Sequence, residues 1–274
     1  MRDHNPRFSM RSHLPLILGI VVGLAACDAG SPDASPTANI TNGELDGDAH
    51  AHVGLMVAQD AAGNPLWRCS GTLLSPRVFL TAGHCTSGAA HVEVWFDADV
   101  RTPGNGYPFS GDVGGAPYTH PDYNDGAFFI KDVGVVVLND DVVLSVYGSL
   151  PEVNALDALA TRRGRQDVTF TAVGYGLQRI NPAFVEAERI RMAARPHLLQ
   201  INVPGLTGDY SVLLSNNHST GGTCFGDSGG PNFLGESNVV AGVTSFAING
   251  NCAGTGGVFR MDRADVLDFV NGYL

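Results

Sequence analysis

The sequence has few positive charges, few long amphipathic segments and, after residue 218, no histidine. Sixteen Lys and Arg residues stand against 27 Asp and Glu, and the resulting net charge of −11 argues against a nucleic-acid partner. No repeat of fixed period stands out. Scarce helical patterning together with 35 glycines favours many short strands joined by tight turns.

The missing histidine matters because Ser228 lies in GDSGGP (226–231). A serine flanked by glycines is typical of a nucleophile held on a tight turn. An α/β-hydrolase requires its catalytic histidine after that serine. The sequence therefore excludes this fold, whereas the order histidine, aspartate, serine is available upstream.

The globular part of the sequence starts at Ile40 and reads as an all-β chain. Short apolar runs such as VGLMVA, RVFLTA and VGVVVL are bounded by Gly, Pro, Asn or Asp, which is typical of barrels or sandwiches. One C-terminal helix is predicted, with Asp262 as its N-cap and Val266, Phe269 and Val270 on one face. Residues 182–194 fit either a helix or a β-insertion.

The N-terminus has the pattern of an export signal. A basic segment is followed by the apolar run Leu14–Ala26, which is short for a membrane span. The run ends in LAAC (24–27) and resembles a bacterial lipobox, which implies lipidation at Cys27; an ordinary signal peptide is the alternative. We expect a signal peptide over 1–27, a flexible tether over 28–39, and a cell-envelope or secreted protein.

Removal of Cys27 leaves four of the five cysteines. An exported chain meets an oxidising compartment, so two disulfides are expected. Three pairings are available, and the pairing with the two short loops, Cys69–Cys85 and Cys224–Cys252, is favoured. Each bond would stabilise the fold by roughly 3 kcal/mol on the loop-entropy model.

Three motifs carry a family resemblance. CSGTLLS (69–75) with TAGHC (81–85), KDVGVVVL (131–138) and CFGDSGGP (224–231) resemble the histidine, aspartate and serine regions of the chymotrypsin/trypsin family. The resemblance implies two perpendicular six-stranded antiparallel β-barrels, here 40–148 and 149–274, with a C-terminal helix. It implies a serine endopeptidase acting on proteins or peptides.

The chemistry explains the residue types. Ser228 needs a base to take its proton, and His84 would be that base because imidazole titrates near neutral pH. A buried carboxylate holds the imidazole in one tautomer. Asp132 is favoured because it precedes an unbroken apolar run, whereas its rivals lie in polar or turn-like segments: Asp97, Asp99, Asp122, Asp125, Asp140 and Asp141.

The resemblance also assigns the groups around the nucleophile. The backbone N–H groups of Gly226 and Ser228 would stabilise the oxyanion. Gly222 would lie at the base of the P1 pocket, whose walls would be Ser245, Phe246, Ala247 and Gly257. Since Gly222 carries no charge, we expect cleavage after neutral apolar or aromatic residues.

Activation departs from the family pattern. Ile40 resembles the mature N-terminus, whose amine would pair with Asp227. Asn39 precedes it in place of Arg or Lys, so self-activation is not expected. We therefore expect another protease to cut before Ile40, which would also release the enzyme from a membrane tether at Cys27.

Two other functions stay open at this stage. A protease-fold lipoprotein without turnover could act as a binding module, and the same machinery could cleave esters. No cofactor and no metal are expected. His50 and His52 form an incomplete ligand set and read as a surface pair.

Overall fold

A computed structural model describes residues 40, 42–127, 129–160, 167–181, 184–204 and 207–274. All of them belong to one compact unit, Pro36–Leu274. The predicted signal peptide with Cys27 and the predicted tether lie outside the described residues. Neither α-helix of the described part is long and apolar enough to cross a membrane.

The described chain is mostly β-structure. Its strands are β1 Glu44–Leu45, β2 Val53–Gln59, β3 Pro65–Ser75, β4 Val78–Thr81, β5 His91–Trp95, β6 Val113–Thr119, β7 Gly134–Leu138, β8 Phe170–Gly174, β9 Arg179–Asn181, β10 Phe184–Glu186, β11 Met192–Ala194, β12 Leu198–Val203, β13 Gly208–Asn216, β14 Pro231–Leu234, β15 Val240–Ala247 and β16 Gly254–Arg260. Its α-helices are α1 Gly83–Thr86 and α2 Ala264–Asn271, and two 3₁₀ turns span Asp125–Ala127 and Asp157–Leu159.

Six strands close into an antiparallel barrel in the order β2-β3-β4-β7-β6-β5, with β5 pairing back onto β2. Every residue of β2 and β4 is buried, as expected for apolar runs that fill a barrel wall. In the ladder between β4 and β7, Thr81 lies opposite Gly134. This register brings the residues just after β4 and just before β7 to the same end of the barrel.

The second sheet has eight strands, in the order β1-β11-β8-β14-β15-β16-β13-β12, where the sequence predicted six. One addition is β1, a two-residue strand that pairs with β11 although it precedes the first barrel in the chain. The strand β14 begins at Pro231, the last residue of the serine motif, and lies between β8 and β15. The serine loop is therefore anchored in the middle of this sheet.

The structure decides two local predictions, the N-cap of the C-terminal helix and the secondary structure of residues 182–194. The C-terminal helix is present, but Asp262 is not its N-cap, so that prediction was wrong; the capping position is Arg263. The Asp262 carboxylate instead binds the guanidinium of Arg260 and accepts a hydrogen bond from the Leu156 N–H. Residues 182–194 fitted either a helix or a β-insertion, and the structure shows strands. The strand β10 forms a hairpin with β9, and β11 pairs with β8, while residues 182 and 183 lie outside the described residues.

Candidate active site

His84 and Asp132 meet at the end of the first barrel where β4 and β7 pair. The Asp132 carboxylate accepts a hydrogen bond from the backbone N–H of His84, with an N···O distance of 2.8 Å. His84 Nδ1 lies 2.9 Å from Oδ2 and 3.1 Å from Oδ1 of the same carboxylate. Such a carboxylate favours the tautomer protonated at Nδ1, which leaves Nε2 as the basic nitrogen.

Backbone packing fixes the position of His84. The short helix α1 follows β4 after a single residue, Ala82. It begins at Gly83, where a Cβ would lie 2.9 Å from the Tyr123 ring and 3.1 Å from the Val133 nitrogen. A larger residue would therefore push the helix away from β7 and away from Asp132.

Asp132 is fully buried, and its carboxylate accepts a hydrogen bond from a third donor besides the two of His84. Ser245 Oγ donates a 2.5 Å hydrogen bond to Asp132 Oδ2 from strand β15. A buried carboxylate is stabilised by such hydrogen bonds. Sequence reasoning placed Ser245 only in a pocket wall and missed this contact, because the two residues are 113 positions apart and no local pattern links them.

Ser228 and His84 line the same cavity, which has a volume of about 580 Å³. About a quarter of the His84 side chain is exposed. Ser228 Oγ makes no hydrogen bond to any residue that the structure describes. Catalytic hydrogen bonds are often long before substrate binds, so this open arrangement is compatible with base and nucleophile acting together.

The loop around Ser228 needs its glycines. Gly226 has a φ of 97°, in the left-handed region, and a Cβ there would lie 3.0 Å from the Gly176 Cα. Gly229 has a φ of 77° and packs directly against Thr81 and Ala82 of the first barrel. Within the described chain, the N–H groups of Gly226 and Ser228 donate to no acceptor, so both are available to an oxyanion.

Asp227 is a second fully buried carboxylate. It accepts hydrogen bonds from the N–H groups of Gly176, at 2.7 Å, and Cys224, at 2.9 Å. Burial raises the pKa of Asp227 to about 6, although these hydrogen bonds and the positive charge of Arg68 act in the opposite direction. No ion pair joins it to a described Lys, Arg or His.

Ile40 is also fully buried, but it lies in a separate apolar cluster with Met192 and Ala194. In the intact chain its nitrogen belongs to a peptide bond and carries no charge. The structure therefore places Ile40 and Asp227 without an ion pair between them.

The predicted pocket residues divide into two groups. Ser245, Phe246 and Ala247 line the cavity, together with Thr223, Phe225 and Ile248. Gly222 and Gly257 lie behind this lining. A Cβ at Gly222 would lie 2.6 Å from Asn216 Oδ1, and a Cβ at Gly257 would collide with the Phe246 ring.

Asn216 was missed by sequence reasoning. Its side chain is buried and fills the space into which a side chain at Gly222 would project. Its Nδ2 donates to the Thr223 carbonyl at 2.7 Å, while Oδ1 has no described partner. No local signal identifies it, because the contact depends on how the end of β13 folds over the residues before the serine motif.

Both cysteine pairs form disulfides that flank the site. Cys69–Cys85 joins β3 to α1, which carries His84, and Cys224–Cys252 joins the serine loop to the residues before β16. Cys69, Cys85 and His84 lie close together, but both sulfurs are consumed in the disulfide and cannot act as thiolate ligands.

The histidine pair at 50 and 52 is not a surface pair, so that interpretation was wrong. His50 Nδ1 lies 2.5 Å from Asp46 Oδ1, and the His50 ring stacks on Phe233. His52 is 2% exposed, and burial lowers its pKa to about 4. Apolar packing around strand β2 thus keeps His52 uncharged.

Comparisons with known proteins match one family over most of the chain. The sequence profile of the family described as Trypsin matches residues 46–267. A chymotrypsin of Phaedon cochleariae is 28% identical over 235 residues, which cover 83% of this chain and 80% of that protein. A collagenase of Hypoderma lineatum is 22% identical over 184 residues, covering 67% of each.

Solved structures support the same architecture. A structure described as HL collagenase has a TM-score of 0.64 at 19% identity and covers 86% of this chain and 96% of its own. A human heparin binding protein has a TM-score of 0.59 at 18% identity, with coverages of 81% and 91%. At these identities the likeness concerns the fold, and it confirms a chymotrypsin-like arrangement of barrel-like sheets with a C-terminal helix.

Proposed function

The chain belongs to the trypsin family of serine proteases, and from that premise we propose that it is a serine endopeptidase with His84, Asp132 and Ser228 as its catalytic residues. The observation that carries the proposal is the buried Asp132 carboxylate, which holds His84 Nδ1 at 2.9 Å beside the cavity that Ser228 lines. A structural histidine would have no need of this arrangement at the edge of a cavity.

The proposed reaction has two halves. Ser228 Oγ attacks the carbonyl carbon of the scissile bond while His84 Nε2 takes its proton, and the oxyanion binds the N–H groups of Gly226 and Ser228. The C–N bond then breaks, His84 protonates the leaving amine, and an acyl-enzyme remains. Water attacks this ester with His84 as base, which frees the acid and restores the Ser228 hydroxyl.

We expect specificity for neutral apolar or aromatic P1 residues because of the side chains that line the cavity beside His84 and Ser228. Phe225, Phe246 and Ile248 supply apolar surface, and His84 is the one titratable side chain among the lining residues of this cavity. Behind Gly222 lies the uncharged carboxamide of Asn216. A Lys or Arg side chain would lose its water without meeting a carboxylate, which is costly.

Activation by a cut before Ile40 is a further part of the proposal. Asp227 is buried beside the oxyanion N–H groups without an ion pair in the described chain. A new ammonium at Ile40 would supply the missing charge. N-terminal sequencing of active protein tests this, and active protein that begins upstream of Ile40 would refute it.

Amine labelling gives a second readout of the cut. Lys131 is the sole lysine of the sequence. An intact chain therefore offers one Nζ and one N-terminal amine, and the N-terminal label should move to Ile40 after the activating cut. That label is expected when the processed protein is denatured before labelling, whereas in native processed protein the Ile40 amine should not react if the new terminus enters the interior.

Export is the proposed location, with a membrane tether through a lipidated Cys27 before release. Two disulfides within one unit are typical of an oxidising compartment. Mass spectrometry of the N-terminal peptide tests the lipid, and Cys27→Ser is the matched variant. An unmodified mature N-terminus created by cleavage elsewhere would favour an ordinary signal peptide.

One experiment separates a protease from a silent binding protein of the same fold. Wild type and Ser228→Ala are incubated side by side with a mixed peptide library and with a fluorophosphonate. We expect cleavage and covalent labelling of wild type alone. Cleavage that survives in Ser228→Ala would refute the assigned nucleophile, and an unlabelled, inactive, N-terminally processed wild type would favour the binding module.

A further inference from the structure

Ser70 connects the first barrel to the loop that carries the nucleophile. We infer that its hydroxyl is a positioning residue for the oxyanion N–H groups, an inference that rests on the proposed function. Ser70 lies on β3 directly after Cys69 and is fully buried. Nothing in the local sequence assigns it a role.

Each polar atom of Ser70 makes a hydrogen bond, and two of these hydrogen bonds join Ser70 to the loop around Ser228. Its N–H donates to the Ser228 carbonyl at 2.8 Å, and its Oγ donates to the Gly226 carbonyl at 3.0 Å. The hydroxyl also accepts a hydrogen bond from the Tyr175 N–H at 3.0 Å. The Ser70 carbonyl accepts from Thr81 Oγ1 at 2.8 Å.

These bonds hold the two residues whose N–H groups must point at one spot. Ser70 fixes the carbonyl of Gly226, while the N–H of the same peptide unit, on Asp227, donates to the Cys224 carbonyl at 3.0 Å. That peptide plane is therefore held at both ends. The orientation of the Gly226 N–H then depends on the φ and ψ of a single glycine, which is the most mobile residue type.

The side chain contributes what the backbone alone does not. A backbone bond from the Ser70 N–H to Ser228 would survive replacement by alanine, whereas the bond to Gly226 would be lost. The Tyr175 N–H would also lose its acceptor, which leaves a buried donor unsatisfied. Ser70→Ala should therefore loosen Gly226 while leaving His84, Asp132 and the pocket walls in place.

The test measures catalysis, inhibitor binding and stability on the N-terminally processed enzyme. For Ser70→Ala we expect kcat per titrated active site to fall by about ten- to a hundred-fold, less than the full loss of an oxyanion donor. KM should change less than three-fold. The Ki of a peptide boronate, whose oxygen occupies the oxyanion position, should rise by the same factor as kcat falls, whereas the Ki of indole in the apolar pocket should stay constant.

Ser211→Ala is the matched control. Ser211 is also fully buried on a strand, and its hydroxyl bonds to Thr207 Oγ1 away from the site. It should lose stability without losing kcat. Equal losses of kcat in both variants, or a fall in kcat without weaker boronate binding, would overturn the inference.

Two further outcomes keep the inference distinct from the proposed function. A wild type that hydrolyses no substrate would overturn both, whereas an active wild type with an equally active Ser70→Ala would overturn this inference alone. If Ser70→Ala does not fold, a crystal structure of the wild-type boronate complex decides. The bond from Ser70 Oγ to the Gly226 carbonyl must persist there, and its absence would refute the positioning role.

Discussion

Asp227 offers a quantitative test of how the serine loop is held in the intact chain, before the proposed cut at Ile40. In the intact chain this carboxylate is fully buried, and burial raises its pKa from 3.8 to about 6. The folded chain therefore holds the Asp227 proton more tightly than the unfolded chain does. Between these two pH values unfolding releases a proton, so this group stabilises the fold most at low pH and loses that contribution as pH rises towards 6.

The expected magnitude follows from the two pKa values. The difference between 6 and 3.8 corresponds to about 3 kcal/mol, at roughly 1.36 kcal/mol per pH unit. Full burial leaves little solvent screening, so no large discount applies. Other groups contribute pH dependence of their own, including His52, whose pKa burial lowers to about 4. A comparison of two variants cancels those contributions.

The assay is urea unfolding from pH 4 to pH 7 on two intact chains that cannot cut themselves, Ser228→Ala and Ser228→Ala/Asp227→Asn. Asparagine removes the titration, and it also disturbs one of the two backbone hydrogen bonds by a pH-independent amount. The unfolded carboxyl is already partly ionised at pH 4, so the free energy of unfolding of the single variant should fall relative to the double variant by about 2.4 kcal/mol across this range.

A flat difference between the two variants would refute the reasoning, because it would mean that Asp227 has the same pKa in the folded and the unfolded chain. Processed protein is the matched control. If a new Ile40 ammonium pairs with Asp227, the pKa of Asp227 falls below its ordinary value, and the sign of the pH dependence reverses.

Two further predictions concern the site itself. Asp132→Asn should lower kcat by roughly 10⁴-fold with little change in KM, because a carboxamide NH2 group facing His84 Nδ1 holds the imidazole in the tautomer protonated at Nε2, which cannot take the Ser228 proton. Steady-state kinetics on titrated enzyme checks this, and a loss below ten-fold would contradict it. Gly222→Asp alone should misfold or stay inactive, since its Cβ would collide with Asn216. Gly222→Asp with Asn216→Gly, which removes the Asn216 Cβ as well as its carboxamide, should instead gain cleavage after Lys and Arg, measured on P1-varied peptides. An active Gly222→Asp single variant would show that Asn216 does not occupy that space.

Local sequence motifs predicted much of the fold and the site. In TAGHC (81–85) and CFGDSGGP (224–231), one disulfide cysteine, the glycines and the candidate catalytic residue lie within a few positions of one another, so a local pattern is enough to identify them. The all-β class followed from short apolar runs. Asp132 could be chosen over its rivals because a carboxylate before a buried strand needs partners.

Contacts between distant strands could not be predicted in this way. Ser245 reaches Asp132 across 113 positions, and Ser70 reaches Gly226 across 156. Asn216 fills the space at Gly222 because β13 ends beside the serine motif. Each role belongs to a side chain whose neighbour is set by strand pairing, and single-sequence patterns carry no information about that pairing.

If a cut before Ile40 activates the enzyme as we propose, the two buried carboxylates indicate which part of the proposed site the cut would change. Asp132 already has the His84 ring, the His84 N–H and the Ser245 hydroxyl around it, so the base is assembled in the intact chain. Asp227 has two backbone N–H groups and no described ion pair. Since Asp227 lies between Gly226 and Ser228, the two proposed oxyanion donors, a cut before Ile40 should act on transition-state stabilisation and leave the His84–Asp132 pair unchanged. A fluorophosphonate reacting slowly with the intact chain, and much faster after the cut at an unchanged pH profile, is the result that this division requires.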